Sequence, residues 1–199
     1  MPDSFMFHEG NRRLQDQFGS RRIADRLEQK LARTAFTADD KTFIESAIYF
    51  FLASADDNGQ PDCSFKGGPA GFVRVTGPNE LAFPDYDGNG MFKSLGNIRS
   101  NPQVGLLFIA MTERPKRLRV LGTAELTFDD PELANFPGGQ ALVRIKPTHV
   151  FPNCPRYIPD LKRDPPSVYA PQAGKAPVEP AWKGSAAFSD VVPPRKPTA

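Results

Sequence analysis

The chain has 199 residues, which allows one domain with a substantial core and would cramp two. Lys and Arg number 25 and Asp and Glu 23, a formal net charge of +2, and the signs alternate along most of the chain. No broad basic face for nucleic acid or an acidic membrane is therefore expected, and a small anionic ligand suits this balance better than a polyanion.

The opening residues MPDSFMFHEGNRR hold no signal-peptide core, and no run reaches the roughly 20 apolar residues that span a bilayer, so the expectation is a cytoplasmic protein without membrane contact. Cys63 and Cys154 lack C-x-x-C spacing, and His8 and His149 are the only histidines. Reduced thiols and no metal site are expected.

Three segments follow from composition: residues 1–36 as a helical extension, 37–164 as the folded domain, and 165–199 as a tail rich in Pro, Ala, Gly and Lys. Ser20 to Phe36 reads as a helix capped by Ser20, with Ile23, Leu27, Leu31 and Ala35 forming an apolar stripe that should lie on something larger. A shorter helix is expected from Thr37, where Thr37 and Asp40 have capping-box spacing ahead of Phe43 and Ile44.

Strands are expected at about Ala47 to Ala55, Asp62 to Lys66, Phe72 to Thr76 and Glu80 to Phe83. Asn58-Gly59 makes the first hairpin, GGPAG interrupts the second and third strands, and Gly77-Pro78-Asn79 turns the chain again. Gly90 to Arg99 reads as a short helix ended by Asn101-Pro102. Val104 to Ala110 is almost wholly apolar, the pattern of a central strand buried on both faces. Lys116 to Leu126 alternates, with Leu118, Val120, Gly122, Ala124 and Leu126 on one face and Arg117 and Arg119 on the other. A helical turn at Asp129 to Phe136 and a last strand at Ala141 to Lys146 complete a mainly β fold, a β-barrel with peripheral helices whose closure removes exposed edges.

Three clusters have anion-binding chemistry. Ser64, Lys66, Gly67 and Gly68 place a hydroxyl, an ammonium and unobstructed backbone at a strand end, although a solvated edge uses the same residues. Asp85-Tyr86-Asp87-Gly88-Asn89-Gly90 leads into Lys93 and Ser94 at a helix start. Gly96 stands where an EF-hand loop begun at Asp85 needs Glu, which excludes a calcium loop of that type. Arg117 and Arg119 fit an anion clamp and equally a charged outer face. Cys154, in Asn153-Cys154-Pro155-Arg156-Tyr157, is a thiol candidate with Arg156 nearby to lower its pKa, although a lone Cys without a placed base is more often a small buried hydrophobe. No Walker, Rossmann, H-E-x-x-H or G-x-S-x-G motif is present.

In order, GQPDCSFKGG, LAFPDYDGNGMFKSLGNIRSNPQVGLLF and ERPKRLRVLGTAEL resemble the pyridoxamine 5′-phosphate oxidase-like family of FMN-binding split barrels from about Thr37 to Lys146, and FPNCPRYI resembles a segment of a bacterial subset. The resemblance implies a six-stranded antiparallel split barrel and a homodimer with FMN in two clefts at the subunit interface. By position it implies that Ser64 and Lys66 run beside the flavin and its phosphate tail and that Asp85, Tyr86 and Asn89 lie beside the ribityl chain. It places Lys93 and Ser94 at the phosphate and Arg117 as a polar flavin contact. The backbone of Gly67 and Gly68 would approach the ring.

The vitamin B6 oxidases carry a C-terminal Trp and an Arg-Leu-x-Pro pattern that bind pyridoxal, and AWKGSAAFSDVVPPRKPTA lacks it. The implied activity is therefore an FMN-dependent oxidoreductase for another small molecule, with a flavin carrier or sensor, or a thiol-redox protein using Cys154, as the alternatives. The fold class also houses haem and deazaflavin (F420) binders.

Overall fold

A single antiparallel sheet of seven strands organises the chain, in the order β2-β1-β5-β6-β7-β4-β3. Its strands are β1 (Tyr49–Ala55), β2 (Pro61–Gly67), β3 (Arg74–Gly77), β4 (Glu80–Tyr86), β5 (Gln103–Ala110), β6 (Lys116–Thr127) and β7 (Gly139–Pro152). The helices are α1 (Glu9–Gln17), α2 (Arg21–Leu31), α3 (Ala38–Ser46) and α4 (Lys93–Ser100). This computed structural model describes residues 4–155 and, beyond them, 158, 161, 174–176, 178, 179, 181–184 and 186. Most of the Pro-rich tail, Arg156 and Tyr157 thus lie outside the described residues.

Alternation fixes the core. Phe50 and Leu52 of β1, Leu106 and Phe108 of β5, Leu118 and Val120 of β6, and Val143 and Ile145 of β7 point inward and are at most 1% exposed. Phe50 is the hub, meeting Phe83 edge-on at 5.0 Å, Phe108 at 5.1 Å and Phe72 at 5.9 Å between ring centroids. Asp56 makes the first hairpin: its Oδ1 accepts from the amides of Asn58 and Gln60, and Gly59 takes a left-handed φ of 78°.

The edge strand β3 is blunted by α3. Glu45 accepts the Val75 amide at 3.1 Å, and Lys41 donates to the Val75 carbonyl at 3.0 Å. The Thr37–Asp40 capping box forms as expected, with Thr37 Oγ1 accepting the Asp40 amide at 3.1 Å and Asp40 accepting the Thr37 amide at 2.9 Å. Arg33 adds an ion pair to the same carboxylate.

Several expectations are corrected. The helix expected from Ser20 to Phe36 stops at Leu31, because Arg33 leaves it to pair backbone to backbone with Val150. Ser20 makes no capping bond, its hydroxyl donating instead to the Gln15 carbonyl. An additional helix, α1, precedes it, capped by His8 and Asn11. The apolar stripe lies largely in solvent, Ile23 being 59% and Leu27 48% exposed. The implied six strands become seven, since the GGPAG interruption separates β2 from a short β3, and β7 runs on to Pro152. Finally, β5 is buried on one face only: Gly105, Leu107 and Ile109 look outward and are half-buried, because no second layer among the described residues covers that face.

Candidate functional site

The split edge of the sheet carries the clustered polar groups. On β2, Ser64 and Lys66 share the parity of Leu52 and Phe50, their register partners, so both face the barrel side of an edge strand. Lys66 is half-buried. Burial pushes its ammonium pKa down, against the attraction of Asp85 and Asp62. Asp85, at the end of β4, is driven the other way: burial raises its carboxyl, while the Gln140 amide and Lys66 pull it back and Asp87 adds to the rise. Lys66 and Asp85 are thus brought together from distant parts of the chain.

A bulge explains Gln140. Asp85 pairs with Ala141 and Tyr86 with Gly139, so Gln140 is the extra residue of β7. Its amide donates to Asp85 Oδ2 at 3.1 Å and to the Tyr86 carbonyl at 3.3 Å. Burial raises the Tyr86 phenol to about 12, so it stays protonated at neutral pH.

From Tyr86 an exposed loop runs to α4. Asn89 folds back on it, its Oδ1 accepting the Met91 amide at 3.0 Å. The helix starts at Lys93, three residues later than expected, because Phe92 takes the left-handed φ of 48° at the cap. No side chain caps α4. Lys93 is exposed, whereas Ser94 is buried at 6% exposure, its hydroxyl without a hydrogen bond among the described residues. An anion offered to this turn meets unpaired amides, a hydroxyl and an ammonium.

The glycines have internal reasons. A Cβ on Gly68 would lie 2.6 Å from the Phe72 ring, and its amide already donates to the Ile48 carbonyl at 3.0 Å. A Cβ on Gly67 would lie 2.7 Å from the Phe65 ring. Packing against Phe72 requires Gly68, whereas the exposed Phe65 ring beside Gly67 has room to swing aside, and the Gly68 amide is not free for an anion.

Arg117 stands apart. It projects from the outer face of β6 with Arg119, three strands from β2 and roughly 14 Å along the sheet at about 4.8 Å per strand. Its Nη2 donates to the Cys154 carbonyl at 2.9 Å, but its Nε is buried without a partner. The same outer face holds Tyr49 stacked on Phe65 at 5.6 Å, with Phe51 edge-on to Phe65 at 6.0 Å. Phe65 is 63% and Leu121 38% exposed. Cys154 is exposed, and no described side chain hydrogen-bonds its thiol. His149 is engaged elsewhere, its Nε2 lying 2.7 Å from the Phe5 carbonyl.

Sequence reasoning missed Gln140 and Arg99. Gln140 is visible only through the bulge, and Arg99 only through the cavity that it borders.

Among known proteins, the family model described as pyridoxamine 5′-phosphate oxidase matches residues 36–154, more than half of the 199 residues. The chain belongs to the pyridoxamine 5′-phosphate oxidase family. Members of this family typically bind flavin and form dimers. No curated protein matches the chain. Solved structures similar to this family member include a putative pyridoxamine 5′-phosphate oxidase from Lactobacillus delbrueckii, 24% identical with a TM-score of 0.48, covering 60% of this chain and 95% of that one. An FMN-binding protein from Syntrophomonas wolfei is 12% identical with a TM-score of 0.45, covering 72% and 96%. The heme storage protein HutZ of Vibrio cholerae is 19% identical with a TM-score of 0.42, covering 55% and 87%. Among the described residues of this family member, no helix is long and apolar enough to cross a membrane.

Proposed function

We propose that this chain is an FMN-binding flavoprotein that moves hydride or electrons between a reduced nicotinamide, or another small molecule, and an acceptor. One observation carries the reading: Lys66, a half-buried ammonium, is held beside Asp85 at the split edge, inside the stretch that matches the family. A cation taken out of water without a hydrogen-bonded anion suits an anionic ligand. The Arg117 guanidinium, part-exposed on the outer face, is a second donor group fit for a polar cofactor atom.

In this reading Ser64, Lys66, Lys93 and Ser94 hold the phosphate. Asp85, Tyr86 and Asn89 line the ribityl chain, and the Gly67-Gly68 backbone edges the ring. Within one chain Arg117 is too far to join them, so the second contribution comes from the partner subunit's Arg117 across a homodimer interface. FMN supplies the redox chemistry when bound. The protein binds, orients and excludes water, and the protonated Tyr86 phenol offers a donor rather than a base. The folded domain would span 37–164, with 1–36 and 165–199 as extensions.

The visible absorption spectrum of the purified protein is the test. Two flavin bands that bleach on mixing with NADH or NADPH and return with an acceptor are expected. A Soret band, or no chromophore with or without added FMN, overturns the cofactor assignment, whereas flavin bands that no reductant bleaches leave a carrier.

A further inference from the structure

A cavity of about 280 Å³ lies between α4 and the neighbouring ends of β4, β6 and β7, bordered by Asp85 but not by Lys66. Leu95, Leu126 and Ala141 line its apolar part, with Phe92 and Phe128 beside them at 57% and 55% exposure. Its polar groups are the guanidinium of Arg99 and the Asp85–Gln140 pair. Arg99 is exposed at the cavity rim and has no hydrogen bond or ion pair among the described residues. In the pair, the Gln140 amide is used and Asp85 Oδ2 is satisfied, which leaves Asp85 Oδ1 and the Gln140 side-chain carbonyl as acceptors.

Two backbone features keep this space open at a cost. Gly96 sits in the interior of α4, where glycine costs about 1 kcal/mol against alanine. Nothing lies within 4 Å of the Cβ that it lacks, so no packing in the chain requires a glycine there. Phe92 is the one non-glycine residue with positive φ among the described residues, a conformation that strains a bulky side chain and leaves its ring at the cavity.

We infer that this cavity binds a one-ring aromatic carboxylic acid that also carries an amine: the ring lies against Phe92 and Phe128, the carboxylate meets Arg99, and the amine meets Asp85 and Gln140. The size is right, because an apolar cavity of about 150 Å³ accepts benzene and the remaining volume takes two polar substituents. Charge decides the acid. One unpaired guanidinium balances a carboxylate in a bidentate pair, whereas a phosphate monoester brings a second negative charge toward Asp85 with no further cation in the lining. The inference shares Asp85 with the flavin reading but does not rest on that reading, since neither Lys66 nor Arg117 borders the cavity.

Calorimetric titration of the full chain with 4-(aminomethyl)benzoate tests it, against benzoate, benzylamine and phenyl phosphate. The two-ended probe should bind at least about tenfold more tightly than either one-ended probe, and phenyl phosphate no better than benzoate. Arg99→Gln should weaken the two-ended probe about tenfold and leave benzylamine unchanged, a selectivity that general damage to the fold does not produce. Gly96→Leu should abolish binding of every probe while melting no lower than the parent. Absence of binding at millimolar probe, equal loss of acid and amine probes in Arg99→Gln, or unchanged binding in Gly96→Leu overturns the assignment. Tighter binding of phenyl phosphate overturns the choice of a carboxylate.

Discussion

Asp40 does the work of a cap and of a counter-ion with one carboxylate. Burial alone would raise its pKa, but the Arg33 guanidinium, the Thr37 amide and the Thr37 hydroxyl outweigh that and hold it below the usual carboxylate range. Asp40→Ala removes the cap of α3 and leaves Arg33 without its anion, an expected loss of about 2 kcal/mol in urea unfolding at pH 7. Because the folded carboxyl is depressed, its stabilisation is present above the unfolded pKa of about 3.9 and disappears as pH falls through the folded value. The gap between parent and Asp40→Ala should therefore close toward acid pH, and a gap that does not narrow as pH falls below the unfolded value would show that packing, not charge, is what the mutation removes. Lys66 works on the ligand. Lys66→Ala should weaken FMN about tenfold or more in a fluorescence-quenching titration while leaving the melting temperature close to the parent's, because burial makes the unliganded ammonium a cost to the fold rather than a support.

Strand pairs show where local sequence predicts and where it does not. At the β6–β7 bulge, a Cβ on Gly122 would lie 2.3 Å from the Lys146 carbonyl oxygen, a backbone atom that cannot swing aside. Gly122→Ala is expected to cost about 2 kcal/mol or more in urea unfolding, and a neutral result would mean that the two strands slide past each other freely. The sequence reads Gly122 simply as an inward small residue, since a bulge depends on the partner strand, about 25 residues away. The same limit governs the other differences. The alternation of Lys116 to Leu126, the Asn58-Gly59 hairpin and the Thr37–Asp40 box are local, and each stands as expected. The end of α2 is not local: Arg33 leaves the helix for the distant edge of Val150. Of the candidate site, residue types were legible and their grouping only in part. Lys66 and Asp85 lie five strands apart in the sheet order and interact only because the sheet curls, whereas Arg117 shares their chemistry and stands three strands from Lys66 on the other face.

That separation acquires a meaning only for the whole molecule. The outer face of β1, β2, β5 and β6 presents Tyr49, Phe51, Phe65, Leu107 and Leu121, apolar residues that no described element of the same chain covers, with Arg117 among them. Exposed aromatic surface of this kind is costly in a monomer, and a second copy packed on it would bury the face and bring one copy's Arg117 toward the other copy's Lys66 edge. Phe65→Asp should then yield a monomer by analytical ultracentrifugation and lose FMN, although Phe65 carries no charge to offer the cofactor. A mixing experiment separates this arrangement from a site complete within one chain. Lys66→Ala and Arg117→Ala should each bind FMN weakly alone, yet unfolding and refolding them together in equal amounts should restore about a quarter of the tight sites. Half the dimers would be mixed, and each mixed dimer has one site with both residues intact. If every site belonged to a single chain, no combination of the two variants would contain an intact one, and mixing would restore nothing.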